Sequence, residues 1–196
     1  MSRPRIEIFP LTPARWKDLE ALFGPRGACG GCWCMYWRLP RSEFGRGKGE
    51  GNHRAFRSIV RADARPGLLA YADGVAVGWC ALEPRDSFPA LDRSRVLARV
   101  DDAPVWAIPC FFIARAWRRK GLTVRLLREA ASHAASRGAT VLEGYPIAPS
   151  KGAVAYVFAW TGIVGAFEQA GFKEVARRSA TRPIMRKSLR ARRKLG

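Results

Sequence analysis

Residues 105–138 constrain this chain more than any other stretch. Val105-Trp-Ala-Ile-Pro-Cys-Phe-Phe-Ile113 is an apolar run of strand character, and Arg118-Arg119-Lys120-Gly121-Leu122-Thr123 follows it as a basic, glycine-containing turn. A helical pattern comes next. Val124, Leu127, Ala131 and Ala134 share one stripe with Leu126 and Ala130 beside it, while Arg125, Arg128, Glu129, Ser132 and Ser136 take the opposite face. Gly138 supplies a C-cap, and residues 140–145 read as a further strand. Strand, helix and strand in that order form a parallel crossover. The turn before the helix brings backbone N–H groups and the positive end of the helix dipole to one point, a cradle suited to a pyrophosphate.

The remaining pattern is punctuated by turn residues. Residues 5–9 alternate as a first strand, and Thr12-Pro13 opens a helix to residue 22. Residues 24–34 are loop-like. A helical segment covers 52–65 and stops at Pro66-Gly67, and strands 68–72 and 75–83 meet at the hairpin signal Asp73-Gly74. A helical turn is expected around 91–100, a last helix from about Thr161 to Gly171, and strands at 172–178 and 183–187. These elements predict an α/β fold of mixed α+β type. Its central mixed sheet is mostly antiparallel, contains one parallel strand–helix–strand unit, and is flanked by helices. No repeat or linker divides the chain, so 1–188 is expected as one domain and 189–196 as a basic tail.

Charge sets the second boundary. Thirty-five Lys and Arg oppose 16 Asp and Glu, a net charge of +19, and from Val175 to Gly196 nine cations occur without an acid. Such a surface favours polyanions, phosphorylated cofactors included. Because the arginines are scattered as well as massed at the end, a general compositional bias accounts for the charge equally well. The start, Met1-Ser-Arg-Pro-Arg, lacks a signal peptide's apolar core. The longest uncharged run, 152–167, has 16 residues, where a membrane helix needs about 20. A cytoplasmic protein without a membrane role is expected, and an odd count of five cysteines favours free thiols.

The turn and helix resemble the GCN5-related N-acetyltransferase (GNAT) superfamily. Its acetyl-CoA motif is Arg/Gln-x-x-Gly-x-Gly/Ala after a strand. Arg118 and Gly121 occupy matching positions, and Thr123 stands where the motif carries glycine or alanine. Phe167-Glu168-Gln169-Ala170-Gly171-Phe172 is similar to the closing Tyr-Glu-Lys-x-Gly-Phe of the family, and the order of elements agrees from Ile6 to Lys187. The resemblance implies an acyl-CoA-dependent N-acetyltransferase that moves acetyl from acetyl-CoA to a primary amine by direct attack. It implies that Arg118, Arg119, Lys120, Gly121, Leu122, Thr123 and Val124 hold the CoA pyrophosphate, and that Phe112 and Ile113 pair with the pantetheine arm. A strand N–H near this point would stabilise the oxyanion of the reacting thioester. A side chain at Gly121 would block the pyrophosphate.

An attacking amine must be neutral, and an alkyl amine of pKa about 10 is mostly protonated at pH 7. Glu83, closing the second hairpin strand, and Glu143, in the strand after the helix, are the candidate bases. Each also fits a structural carboxylate paired with an arginine. The family's general-acid tyrosine corresponds to Phe167, which leaves Tyr145 and Tyr156 as substitutes. A CoA thiol, with a pKa like that of cysteine, about 8.5, leaves largely as thiolate. The asparagine that many members carry seven residues earlier corresponds to Trp160.

Cys29-Gly-Gly-Cys32-Trp-Cys34-Met-Tyr36-Trp37 invites a metal reading, but no fourth ligand or second Cys-x-x-Cys pair accompanies it, and no metal is expected. In the family this region forms a wall of the acceptor site, so Trp33, Tyr36 and Trp37 are candidates to line an aromatic pocket. Packing of a small subcore is the competing role. No Cys–His pairing favours an acyl-cysteine route. The implied partners are acetyl-CoA and a small-molecule or peptide amine. The alternative is a basic protein that binds nucleic acid or a ribosome through its tail and has no transferase activity. A homodimer is left open.

Overall fold

A computed structural model describes residues 4–149 and 160–189. Residues 190–196 of the tail expected at 189–196, Tyr156 and residues 152–159 of the uncharged run lie outside the described residues. The described elements are β1 (Ile6–Pro10), α1 (Trp16–Phe23), α2 (Arg41–Arg46), α3 (Glu50–Arg61), β2 (Gly67–Ala72), β3 (Val75–Ala81), β4 (Glu83–Pro84), β5 (Trp106–Ile108), β6 (Phe111–Ile113), α4 (Leu122–Ser136), β7 (Val141–Gly144), α5 (Val164–Gln169), β8 (Lys173–Arg177) and β9 (Pro183–Ser188). They build a mixed α/β fold in which β5 and β7 are parallel and the other strand pairs antiparallel.

The expected single strand at 105–113 is two strands, and the break falls at Pro109-Cys110. Proline has no N–H to give a ladder, so regular pairing stops there. The expected strand at 75–83 divides as well, with Leu82 between β3 and β4. The two chains nonetheless stay side by side, since β4 pairs with β5 and β3 pairs with β6. β7 follows only the first half, from Trp106↔Leu142 to Ile108↔Gly144. Two sheets result, β1-β2-β3-β6 and β4-β5-β7-β9-β8, and they part beyond Ile108.

Helices cover both faces. Of the expected stripe of α4, Leu126, Leu127, Ala130, Ala131 and Ala134 are buried and Val124 is partly so; joined by Leu122, they pack with Leu68, Ala70, Ile108 and Leu142, and α5 adds Ala166 and Phe167, with Ala170 just after it. On the other face Trp16, Leu19 and Phe23 of α1 and Phe56 and Val60 of α3 cover Leu69, Tyr71, Trp79 and Ala107. β2 is therefore buried at every position, which explains its unbroken apolar sequence. Each fully buried leucine contributes about 1.5–3 kcal/mol.

Helix limits differ from expectation near turns. The second helix runs from Glu50 to Arg61, and Asp63 and Arg65 then turn with positive φ towards Gly67. α2 is unforeseen, and residues 89–91 form a 3-10 turn in place of the helical turn expected at 91–100. The last helix starts at Val164, and a 3-10 turn at Pro13–Arg15 precedes α1.

Among the described residues no helix is long and apolar enough to cross a membrane. α5 is locked to β7 by a ring against a glycine. A Cβ on Gly144 would lie 2.1 Å from Phe167 Cε1. Gly144→Ala is expected to cost about 1–3 kcal/mol in urea denaturation. Phe167→Leu should recover part of that loss in the double variant; additive losses would contradict this packing.

Candidate active site

The cradle before α4 has the geometry of an anion site. Arg119 and Gly121 both take left-handed backbone, at φ 57° and 75°, which swings the chain into the helix. A Cβ on Gly121 would meet nothing within 4 Å, so the ground in front of the helix is open. No side chain caps the helix and no acid stands in its first turn. The amide of Arg125 bonds back to the Gly121 carbonyl at 3.2 Å. The amides of Leu122, Thr123 and Val124 precede the first helical bond and have no carbonyl within the helix to receive them. Arg118 turns backwards, its Nε donating to the Ile113 carbonyl at 3.1 Å, and fastens the turn to β6. Lys120 Nζ lies 5.3 Å over the Trp117 ring. Beside it a cavity of about 380 Å³ opens between Pro4, Ile6, Trp117, Lys120, Leu122 and Arg125.

The edge of β6 runs up to this turn. Ala114 N–H bonds to the Val77 carbonyl and Ala81 N–H to the Cys110 carbonyl. In an antiparallel ladder these bonds make Phe112↔Trp79 the hydrogen-bonded pair. The N–H and C=O of Phe112 therefore face β3, and those of Phe111 and Ile113 face the opposite side. This corrects the expectation for Phe112, whose backbone is spent on the sheet. Among the described residues no strand pairs with β6 on that other side.

The two candidate bases stand in one row. Glu83 is opposite Ala107, and Ala107 is opposite Glu143, so both side chains share the face covered by α1 and α3. Their surroundings differ. Glu143 is fully buried: Tyr145 donates to its Oε1 at 2.6 Å, Arg85 Nη1 to the same atom at 3.2 Å, and Arg186 Nε to Oε2 at 2.7 Å. Arg85, 2% exposed, also bonds Asp92 at 2.7 Å and the Leu97 carbonyl at 3.0 Å, so this cluster ties the 85–97 segment to β7. The Tyr145 hydroxyl is held within it. Burial, then the Glu143 charge, push its pKa well above its ordinary value, and its proton is already donated to Glu143 within the core. Phe167 is fully buried against Phe111 and Phe172. Glu83 has a single ionic partner, the Arg38 guanidinium, and its Oε2 makes no hydrogen bond of good geometry among the described residues. Arg38 is in turn stacked 4.5 Å over Phe88.

Beyond Glu83 lies a sulfur-lined recess of about 10 Å³, room for one water, bounded by Cys32, Cys34, Tyr36, Trp37, Phe88, Pro109, Cys110 and Trp160. Trp79 Nε1 donates to Cys34 Sγ at 3.2 Å. A hydrogen bond with Cys110, and then the Arg38 charge, hold the Cys34 thiol below its ordinary value despite burial. Burial pushes Cys32 up to about 11. Tyr36, 45% exposed, and Trp37 pack edge-on at 4.8 Å, with Trp160 at 5.4 and 5.7 Å from them. Trp33 is elsewhere: it is buried between Trp16, Phe23 and His53, and its ring fills the place of a Cβ on Gly27. It belongs to the core, so of the three aromatic candidates Tyr36 and Trp37 line the recess. Among the described residues no three His, Cys, Asp or Glu side chains are placed to hold a metal ion.

Arg38, Arg85, Arg186 and Cys110 were missed by sequence reasoning. Nothing in their local sequence distinguishes the arginines from others in an arginine-rich chain. Cys110 carried a signal, its place after the proline of the central strand.

The comparisons with known proteins agree with this geometry. A model of the Acetyltransferase (GNAT) family matches residues 33–157. No curated protein sequence matches the chain. Among solved structures, PaiA N-acetyltransferase from Thermoplasma acidophilum, in complex with coenzyme A, is 17% identical with a TM-score of 0.52, over 94% of this chain and 99% of that one. A GNAT-family acetyltransferase from Listeria monocytogenes is 11% identical with a TM-score of 0.57, covering 94% and 95%. Aminoglycoside N-acetyltransferase AAC(6')-Iy in complex with CoA is 17% identical with a TM-score of 0.54, covering 90% and 93%. Identities this low speak for the fold, and the family match spans well over half of the sequence. Parted sheet, uncapped helix and family match together make this chain a member of the GNAT family of acetyltransferases.

Proposed function

We propose that the protein is an acetyl-CoA-dependent N-acetyltransferase acting on a primary amine by direct attack. The observation that carries this reading is the uncapped N-terminus of α4, with open ground before Gly121, standing at the end of the β6 edge that no other strand joins among the described residues. The amides of Leu122, Thr123 and Val124, with the charges of Arg119 and Lys120, suit a pyrophosphate. The outward-facing backbone of Phe111 suits an amide-bearing arm laid along the strand. Acetyl-CoA supplies the activated acyl carbonyl.

The reacting carbon then belongs near the strand break at Pro109-Cys110, with Tyr36, Trp37 and Trp160 along the acceptor side. Glu83 takes the proton that the amine loses as its nitrogen bonds the acyl carbon and the carbon–sulfur bond breaks. Glu143 has no face left for this work, because three donors already occupy it. No tyrosine is assigned as acid, since a thiol of this kind departs as thiolate. The reading as a nucleic-acid- or ribosome-binding protein gains no support from the fold.

Three substitutions test these assignments. Gly121→Glu is expected to weaken CoA binding at least about 100-fold in calorimetry, about 2.7 kcal/mol, with far-ultraviolet dichroism unchanged. Unchanged affinity would remove the cradle. Glu83→Gln should lower kcat by about 10²–10⁴ while CoA affinity holds. Glu143→Gln leaves the buried Arg85 and the partly buried Arg186 with only Asp92 and Asp101 as counter-charges and is expected to cost about 1–3 kcal/mol of stability. Its kcat, measured below the unfolding transition, should stay within an order of magnitude; the reverse pattern for the two glutamates would exchange their roles.

A further inference from the structure

Arg182, in the turn between β8 and β9, is charged and partly buried, and among the described residues it has no counter-ion. Its Nη1 donates to Thr161 Oγ1 at 3.2 Å, and that threonine is fully buried beside Trp160. The phenol of Tyr36, whose ring packs on Trp160, acts on its charge. The guanidinium therefore borders the aromatic wall of the proposed acceptor cleft. Neighbouring arginines are all engaged. Arg177 pairs with Glu174, and Arg178 binds the carbonyls of Ala98 at 2.6 Å and Arg99 at 2.9 Å. Arg38, Arg85 and Arg186 each hold a buried carboxylate. Among the described residues no carboxylate lies within ion-pair reach of Arg182, and the stretches outside them contain no Asp or Glu. Burial lowers its pKa, as for a cation that has lost part of its water.

The carboxylates of the cleft give the complementary half of the argument. Glu83 is neutralised by Arg38, and Glu143 by Arg85 and Arg186. None is left to hold a second ammonium group, and the chain as a whole carries +19. A polycationic acceptor would meet repulsion throughout, whereas a partly desolvated guanidinium binds a carboxylate through charge-assisted hydrogen bonds.

We infer that Arg182 is the anion-recognition residue of the acceptor site, and that the acceptor is a primary amine bearing a carboxylate, of the free amino acid or short peptide class. The inference rests on the reading of the protein as an N-acetyltransferase. Its test uses amino acids paired with the amines left when their carboxylate is removed, assayed for CoA release by the wild type, Arg182→Ala and Arg182→Lys. In each accepted pair the wild type should favour the amino acid about 100-fold in kcat/KM, carried by KM. Arg182→Ala should bring that ratio to within a few-fold, and Arg182→Lys should restore part of it. A wild type indifferent to the carboxylate, or a preference that survives in Arg182→Ala, overturns the inference. Calorimetric binding of N-acetylated amino acids and N-acetylated amines to the CoA-loaded protein separates it from the parent reading. Carboxylate-dependent binding that is lost in Arg182→Ala, without turnover of any amine, would uphold the anion site and defeat the transferase. Equal binding of both products without turnover would defeat both.

Discussion

The site depends on one interruption in the hydrogen-bonded sheet. Pro109 cannot donate to a ladder, and at that residue the strand which belongs to β7 on one side becomes the strand which belongs to β3 on the other. Had pairing with β7 continued past Ile108, Phe111 would spend its outward backbone groups within the sheet. The parting leaves those groups at an edge and aims β6 at the turn that starts α4. α4 is held in turn by leucines and alanines that pack across β2, β3 and β6. Edge and helix terminus are thus fixed to one another by the core, which preorganises a site without requiring any side chain to be placed by a flexible loop.

Arginine does more inside this protein than its net charge suggests. Arg85 and Arg186 clamp Glu143 from two sides, and Arg38 meets Glu83 beneath Phe88. Such buried pairs contribute little net stability, because desolvation offsets attraction, but removing one partner is expensive. Their effect here is positional: they attach the 85–101 segment to the central strands and leave the cleft without a spare carboxylate. The contrast between Glu143, with three donors on its two oxygens, and Glu83, with one ionic partner, separates two residues of the same type in the same row.

Much of this was legible in the chain. The α4 stripe, the glycine cradle, the parallel crossover and the closing Phe167–Phe172 segment follow from local periodicity and turn chemistry, which need no knowledge of distant contacts. Pro109 announced a disturbance in its strand, although not that two sheets would share the strand between them. What stayed hidden depends on tertiary pairing. Trp33 looks like Tyr36 and Trp37 in sequence, but a left-handed turn at Trp33 and Cys34 sends its ring into the core. Phe112 and Ile113 are adjacent, and only the register with β3 decides which one faces the edge. The roles of Arg38, Arg85 and Arg182 are set by which carboxylates reach them, a property of the fold and not of any motif.

The central claim is that the open edge of β6 and the first turn of α4 receive one extended acyl-CoA molecule. Amide hydrogen exchange with and without CoA addresses it directly. The account predicts slowed exchange on binding at Phe111 and at Leu122, Thr123 and Val124, and little change at Phe112, whose N–H already serves β3. Protection confined to another surface, or CoA binding that leaves the amides of Leu122 to Val124 as exposed as before, would contradict it.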